Sequence, residues 1–101
     1  MTEVSVPAGS SHGATTSTLA FLFSDIEGST RLQEQLGMNP YAEILERHQA
    51  LLRAAFEAHD GREQGTEGDS FFVVFESARA AVVAAVDAQR ALAAEPWPAG
   101  V

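Results

Sequence analysis

Hydrophobic and polar positions follow two different periods along this chain. Two short apolar runs, 18–24 (TLAFLFS) and 71–75 (FFVVF), are bounded by turn residues and predict strands, the second of them buried on both faces. Between them, apolar residues recur at three- and four-residue spacing through 41–59, which predicts an amphipathic helix. An alanine-rich helix is expected next, from an N-cap at Ser77 to about Ala94, packed through its valines and Leu92.

Shorter signals predict the remaining elements. Thr30 and Gln33 form a capping-box pattern, with Ser29 as a competing N-cap, and this indicates a short helix over about 30–36. The sequence EGDS, in which Gly68 is suited to a positive φ, predicts a tight hairpin and makes 62–67 the partner of the second apolar strand. The order strand, two helices, hairpin, helix predicts an α+β fold, an antiparallel three-stranded sheet with helices on one face.

The ends of the chain differ from its middle. Residues 1–17 are rich in Ser, Thr, Gly and Ala, so they bury too little surface to offset the entropy of ordering, and we expect a disordered N-terminal arm. The first residues lack the basic and apolar regions of a signal peptide. No apolar run is long enough to span a membrane. These features predict a cytoplasmic protein that does not bind a membrane.

Composition narrows the possible functions. A length of 101 residues, with 46% apolar and 20% charged positions, predicts one small soluble domain. The net charge of -8 argues against a nucleic-acid binder, although divalent cations can bridge an acidic protein to a nucleotide. Cysteine is absent, which excludes disulfides and thiolate metal sites. All six basic residues are arginine, so the chain has no lysine.

Two aspartates lie in predicted turns that could meet at one end of the sheet. Asp25 follows the first apolar strand, and Asp69 lies in the hairpin before the second. If these strands are neighbours, both carboxylates emerge together, and such oxygen ligands suit Mg²⁺. The backbone N–H groups of Gly28, Ser29 and Thr30, at the start of the next helix, would then face an anion.

Each candidate also has a purely structural explanation. An aspartate after a strand is more often a turn or capping residue than a ligand, and Asp69 is a common hairpin residue. His48 lies on the apolar stripe of the long helix, where a core histidine is expected. The other candidates are interpreted as solvated turn acids or helix-end residues: Glu27, His59, Asp60 and Glu67.

The segments FLFSDIEGSTRL and GTEGDSFFVVFESARAAVVAAVDAQRAL resemble the catalytic domain of class III adenylate/guanylate cyclases, most of all that of actinobacterial members. The resemblance covers 18–97. It implies that 18–101 form the N-terminal half of a nucleotide cyclase domain, an incomplete ferredoxin-like fold. The family converts ATP or GTP to a 3′,5′-cyclic nucleotide and pyrophosphate, and so acts in cyclic nucleotide signalling.

The resemblance also implies roles for particular residues. Asp25 and Asp69 match the two metal-binding aspartates, and the main-chain carbonyl of Ile26 matches a further ligand, for two Mg²⁺ or Mn²⁺ ions per site. Three consecutive residues match the turn that receives the triphosphate: Gly28, Ser29 and Thr30. In this family the site forms between two subunits, so a homodimer, or a heterodimer with a cyclase-like protein, is expected.

The chain departs from the family in two ways. Gly65 stands where adenylate cyclases have a purine-selecting lysine, and glycine offers no hydrogen-bonding side chain to guanine either. The family domain is also much longer, and its second half carries the residues that stabilise the transition state. The sequence therefore predicts a truncated cyclase homologue with no catalytic residue of its own and little activity alone. A non-catalytic regulatory or dimerisation remnant, or a fragment without a role, is the alternative.

A third interpretation concerns Asp25 alone. DIEGST is loosely similar to the Asp-x-Asp-Gly-Thr turn of haloacid-dehalogenase-type phosphatases, in which the strand-end aspartate is the nucleophile. Glu27 replaces the second aspartate, Ser29 interrupts the spacing, and the lysine of that fold is absent. The cyclase interpretation is therefore favoured over this one.

Overall fold

The computed structural model describes residues 2–5, 19–98 and 101 and places a strand before the elements that the sequence predicts. Those elements follow in the predicted order of strand, two helices, hairpin and helix. The full order is β1 (Thr2–Ser5), β2 (Ala20–Ile26), α1 (Ser29–Leu36), α2 (Met38–Glu57), β3 (Arg62–Glu67), β4 (Ser70–Phe75) and α3 (Ala78–Ala94).

The described strands form one antiparallel sheet in the order β1-β2-β4-β3. In its centre Ala20 pairs with Phe75 and Ser24 with Phe71, so the C-terminal end of β2 lies beside the N-terminal end of β4. The predicted β3–β4 hairpin is confirmed, and Gly68 has a φ of +58°. This pairing brings the turn after β2 and the β3–β4 turn to the same end of the sheet.

The N-terminal strand corrects one prediction. Thr2–Ser5 pair with β2, opposite 23–26, so the expected disordered arm is wrong for these four residues. Val4 packs against the core, and β2 offers an unpaired row of backbone groups at this edge. Together these contacts offset the ordering entropy that composition alone suggested would prevail. Residues 6–17 of the predicted arm lie outside the described residues.

The core lies between the helices and one face of the sheet. Every second residue of β2, beginning with Ala20 and Leu22, is buried there against α2 and α3. Helix α3 contributes its small side chains, because Ala81, Ala84 and Ala88 are fully buried. The valines predicted to pack are exposed instead, at 51% for Val82, 37% for Val83 and 41% for Val86. Alanines on the inner face let the helix backbone approach the sheet closely.

The face of the sheet that points away from the helices, which we call the open face, carries a cluster of three aromatic side chains. Phe23 stacks on Phe72 with ring centroids 4.7 Å apart, and Phe21 meets the same ring edge-on at 5.7 Å. Phe21 is 36% exposed and Phe23 is 47% exposed, so β2 is buried on its inner face alone. In β4, for which burial on both faces was predicted, Val74 is buried and Phe72, on the same face, is partly buried. A run of apolar strand residues indicates β structure, but it does not say that helices cover both sides.

One of the two predicted helix N-caps is present in the structure, and the other is not. The Ser77 side chain accepts a hydrogen bond from the Ala80 N–H at 3.0 Å, which confirms the predicted cap of α3. The capping box at Thr30 is wrong, because α1 begins one residue earlier and is preceded by Gly28 at a φ of +72°. Within the described ranges, no helix combines the length and hydrophobicity needed to cross a bilayer.

The turn between α2 and β3 gives a test of packing at Gly61. A β-carbon built there would lie 2.7 Å from two ring carbons of Phe75 and 2.9 Å from the Phe56 carbonyl oxygen. Gly61→Ala should therefore lower the free energy of unfolding by about 1–3 kcal/mol, measured by urea denaturation. Gly65→Ala is the control, because no heavy atom lies within 4 Å of its added carbon. Equal stabilities of the two variants would contradict this packing.

Candidate functional site

The carboxylates of Asp25 and Asp69 converge on one backbone group. The Ile26 N–H donates to Asp25 Oδ1 at 3.0 Å and to Asp69 Oδ2 at 2.9 Å. Asp25 is the penultimate residue of β2, and Asp69 lies in the β3–β4 turn, so the antiparallel β2–β4 pairing sets their proximity. The predicted meeting of these two side chains at one sheet end is confirmed.

Two serines complete the hydrogen bonding of the acidic pair. Ser70 Oγ donates to Asp25 Oδ1 at 3.3 Å, and the Ser29 side chain forms a hydrogen bond with Asp69. Sequence reasoning missed Ser70. Its signal was its position one residue before Phe71, which the antiparallel register places next to Asp25. The predicted phosphate-binding residue Ser29 therefore also contacts a predicted metal ligand.

The pKa values of the two acids shift in opposite directions. The hydrogen bond with Asp69, then burial and then the charge of Asp69, raise the pKa of Asp25 above its usual value. Burial acts to raise the pKa of Asp69, but hydrogen bonds from Asp25, from backbone N–H groups and from Ser29 outweigh it and lower that pKa. Two carboxylates this close repel when both ionise, and a divalent cation would relieve that repulsion.

A buried tyrosine lies in the field of the same acids. Burial, followed by the charges of Asp69 and Asp25, raises the pKa of Tyr41 above its usual value. His48, on the same helix, is 3% exposed, and burial lowers its pKa to about 4, with Asp69 opposing that shift. The burial of His48 confirms its interpretation as a core histidine.

The turn predicted to receive phosphate follows β2 directly. Gly28 precedes the first residue of α1 in a left-handed conformation, Ser29 opens that helix, and Thr30 is exposed within its first turn. The three residues therefore lie at a helix N-terminus close to the acidic pair, as predicted. Phosphate binding by them stays a prediction.

The remaining candidates lie apart from the acidic pair. His59 Nε2 is 2.6 Å from Asp87 Oδ2 on α3. This contact connects the turn after α2 to α3. Glu27 is exposed, and Asp60 occupies the turn after α2 with a φ of +60°. The side chain of Glu67 lies outside the described part of the structure. Gly65 pairs with Phe72 on the hairpin, and its surroundings are open.

The donor set suits a hard cation that retains other ligands. In the described residues no group of three or more His, Cys, Asp or Glu side chains is placed to hold a metal ion. Two carboxylates, with main-chain and phosphate oxygens completing the shell, are instead typical of Mg²⁺ in nucleotide sites. The Ile26 N–H faces the acids, and the predicted ligand role of its carbonyl stays a prediction.

Comparison with known sequences decides the family. The sequence profile described as "Adenylate and Guanylate cyclase catalytic domain" matches residues 12–94. The chain belongs to the class III cyclase family. Adenylate cyclase of Schizosaccharomyces pombe is 34% identical to it over 98 residues, 95% of this chain and 5% of the fungal protein.

Two other fungal proteins show the same relationship. Adenylate cyclase of Mycosarcoma maydis is 38% identical over 80 residues, 79% of this chain and 3% of that protein. Adenylate cyclase of Lachancea kluyveri is 32% identical over 83 residues, 82% of this chain and 4% of that protein. This cyclase-family chain thus spans only a small part of the length of these relatives.

Proposed function

We propose that this chain carries the metal- and phosphate-binding part of a nucleotide cyclase site. The parent reaction is attack of the ribose 3′-hydroxyl of ATP or GTP on its α-phosphorus, giving a 3′,5′-cyclic nucleotide and pyrophosphate. The observation that supports this most is the double hydrogen bond from the Ile26 N–H to Asp25 and Asp69. In a cyclase-family chain, two acids held in contact are best explained as ligands of shared cations.

The roles of the chain's own residues follow from their positions. Asp25, Asp69 and the Ile26 carbonyl would hold two Mg²⁺ or Mn²⁺ ions, and the N–H groups of 28–30 would bind phosphate oxygens. When bound, these ions would acidify the ribose hydroxyl and neutralise the leaving pyrophosphate. Ser70 orients Asp25 through its hydroxyl.

The chain lacks groups that a complete site would need. It contains no lysine, and Gly65 occupies the position predicted to select the purine, so ATP and GTP are equally good candidates. No catalytic residue beyond the metal ligands is assigned. The proposed role is therefore binding of cation and triphosphate, with the remaining groups supplied by a partner subunit. Likeness to actinobacterial members and a cytoplasmic location stay predictions.

Cation binding is the direct test of the acidic pair. Asp25→Asn and Asp69→Asn should each weaken Mn²⁺ binding more than about tenfold, because each removes a charged ligand. Wild-type binding should weaken as the pH falls, starting above the usual aspartate range, since the raised pKa of Asp25 lets a proton compete there. Electron paramagnetic resonance of free Mn²⁺ measures both effects.

Asp60→Asn is the matched control for these variants. Asp60 lies outside the site and has a φ of +60°, a conformation that asparagine tolerates well. Its Mn²⁺ affinity should equal that of the wild type. Comparable loss of affinity in all three variants, or undiminished affinity in the site variants, would rule out the proposed ligands.

Turnover should be low for the 101-residue chain alone. Each missing transition-state donor typically costs about 10²–10³ in rate, and several are expected from a partner. We expect cyclic AMP and cyclic GMP to stay at background after incubation with ATP or GTP and Mn²⁺, measured by liquid chromatography. Rapid product formation that depends on Asp25 would show that the chain is a complete enzyme.

The open face supports a second candidate role, pairing with another cyclase-like subunit. Phe21, Phe23 and Phe72 expose aromatic surface on the side of the sheet without helices. Such exposed clusters mark association surfaces. Asp25 lies on the same face of β2 as Phe23, so a partner on this face would lie beside the proposed metal ligands. A homodimer or a heterodimer could use this face.

Association through the open face is tested with one substitution. Phe23→Ser should shift the protein toward monomer in sedimentation velocity, because it removes an exposed ring from the cluster. Val82→Ser, at a residue 51% exposed on α3, is the control and should leave the distribution unchanged. A wild-type chain that stays monomeric at high concentration would exclude the homodimer.

A further inference from the structure

Helix α2 holds the hairpin that carries Asp69 at two points. Gln49 Nε2 donates to the Gly68 carbonyl oxygen at 2.9 Å, at the tip of the hairpin. One helical turn further on, Arg53 forms a two-pronged pair with Glu63 on β3, at 2.8 and 3.2 Å. The Arg53 guanidinium also lies 5.3 Å from the centroid of the Phe71 ring. Arg53 fixes the strands, whereas Gln49 reaches the turn itself.

The Gly68 carbonyl and the Asp69 N–H belong to the same peptide group. Because the peptide bond is planar, the Gly68 C=O and the Asp69 N–H belong to one rigid unit. A hydrogen bond to the carbonyl restricts that plane, and with it the position from which the Asp69 side chain leaves the backbone. The Asp69 carboxylate itself accepts a backbone hydrogen bond from Asp69, so the same plane also sets one of its donors.

The turn would have more freedom without this hydrogen bond. β3 ends at Glu67 and β4 begins at Ser70, so Gly68 and Asp69 lie between the two paired strands. Glycine at Gly68, with a φ of +58°, adopts this conformation readily but also adopts many others. A side-chain donor from the adjacent helix restricts that choice.

We propose that Gln49 is a positioning residue that orients Asp69 toward Ile26 and Asp25 for cation binding. The cation part of this inference rests on the proposed function. Gln49 touches neither carboxylate in this role; it acts through the Gly68–Asp69 peptide plane. The Ile26 N–H, shared by both acids, then reports whether Asp69 is correctly oriented.

The experiment compares Gln49→Leu with Gln49→Glu. Leucine removes the donor at similar size, and Mn²⁺ affinity should fall about three- to tenfold, the effect of losing one such hydrogen bond. Glutamate also removes the donor but adds a negative charge, which alone would strengthen cation binding. A Gln49→Glu variant that binds Mn²⁺ no more tightly than the wild type therefore supports the positioning role. Tighter binding overturns it.

Gln64→Leu is the matched control. Gln64 lies on the same hairpin, and its side-chain amide donates to the nearby Arg62 carbonyl at 3.3 Å. The substitution removes the same amide chemistry without touching the turn at Gly68. Its Mn²⁺ affinity should stay at the wild-type value. A loss equal to that of Gln49→Leu would mean that general weakening of the hairpin is responsible.

A second readout needs no metal. In Gln49→Leu, the Ile26 amide proton should exchange faster with solvent and its NMR resonance should move, because Asp69 no longer accepts steadily from it. Neither change is expected in Gln64→Leu. An unaltered Ile26 amide in Gln49→Leu overturns the inference whether or not the chain binds Mn²⁺. Failure of the wild type to bind Mn²⁺, with the Ile26 amide altered as expected, instead overturns the proposed function and leaves only the orientation of Asp69.

Discussion

A single donor, the Ile26 N–H, organises the charged end of this molecule. It contributes to the hydrogen bonding of two carboxylates from distant parts of the chain, and it does so because β2 and β4 run antiparallel as neighbours. Two acids brought this close raise the electrostatic free energy when both ionise. The proposed binding of divalent cations would relieve that repulsion. The sheet register is therefore the constraint on which the site depends.

The two faces of the sheet differ in how deeply their side chains are buried. On the inner face, the buried alanines of α3 let the helix pack closely against Leu22 and Phe75. Large side chains of the sheet therefore fill the core, and the helix contributes small ones. On the open face, phenylalanines stack with one another but remain partly exposed. Asp25 alternates onto the exposed side of β2 while Ile26 is buried. The acidic pair thus lies between a packed core and an aromatic surface.

Much of this arrangement could be predicted from sequence, because it depends on local signals. The β3–β4 hairpin followed from EGDS, the start of α3 from Ser77, and the meeting of the acids from their turns. The predictions that failed concern features that depend on tertiary neighbours. Composition did not indicate that Thr2–Ser5 would pair with a free edge, and apolar runs did not show which face the helices cover. Ser70 and Gln49 were missed because single polar residues form no periodic sequence pattern. The fold alone brings them to the site.

The register of β1 has a practical consequence for work on this protein. Thr2 pairs with Ile26 and Ser5 with Phe23, so the strand runs away from the acidic pair and its first residue sits nearest to it. Any purification tag, fluorescent protein or fusion partner joined ahead of residue 2 would emerge beside the carboxylates.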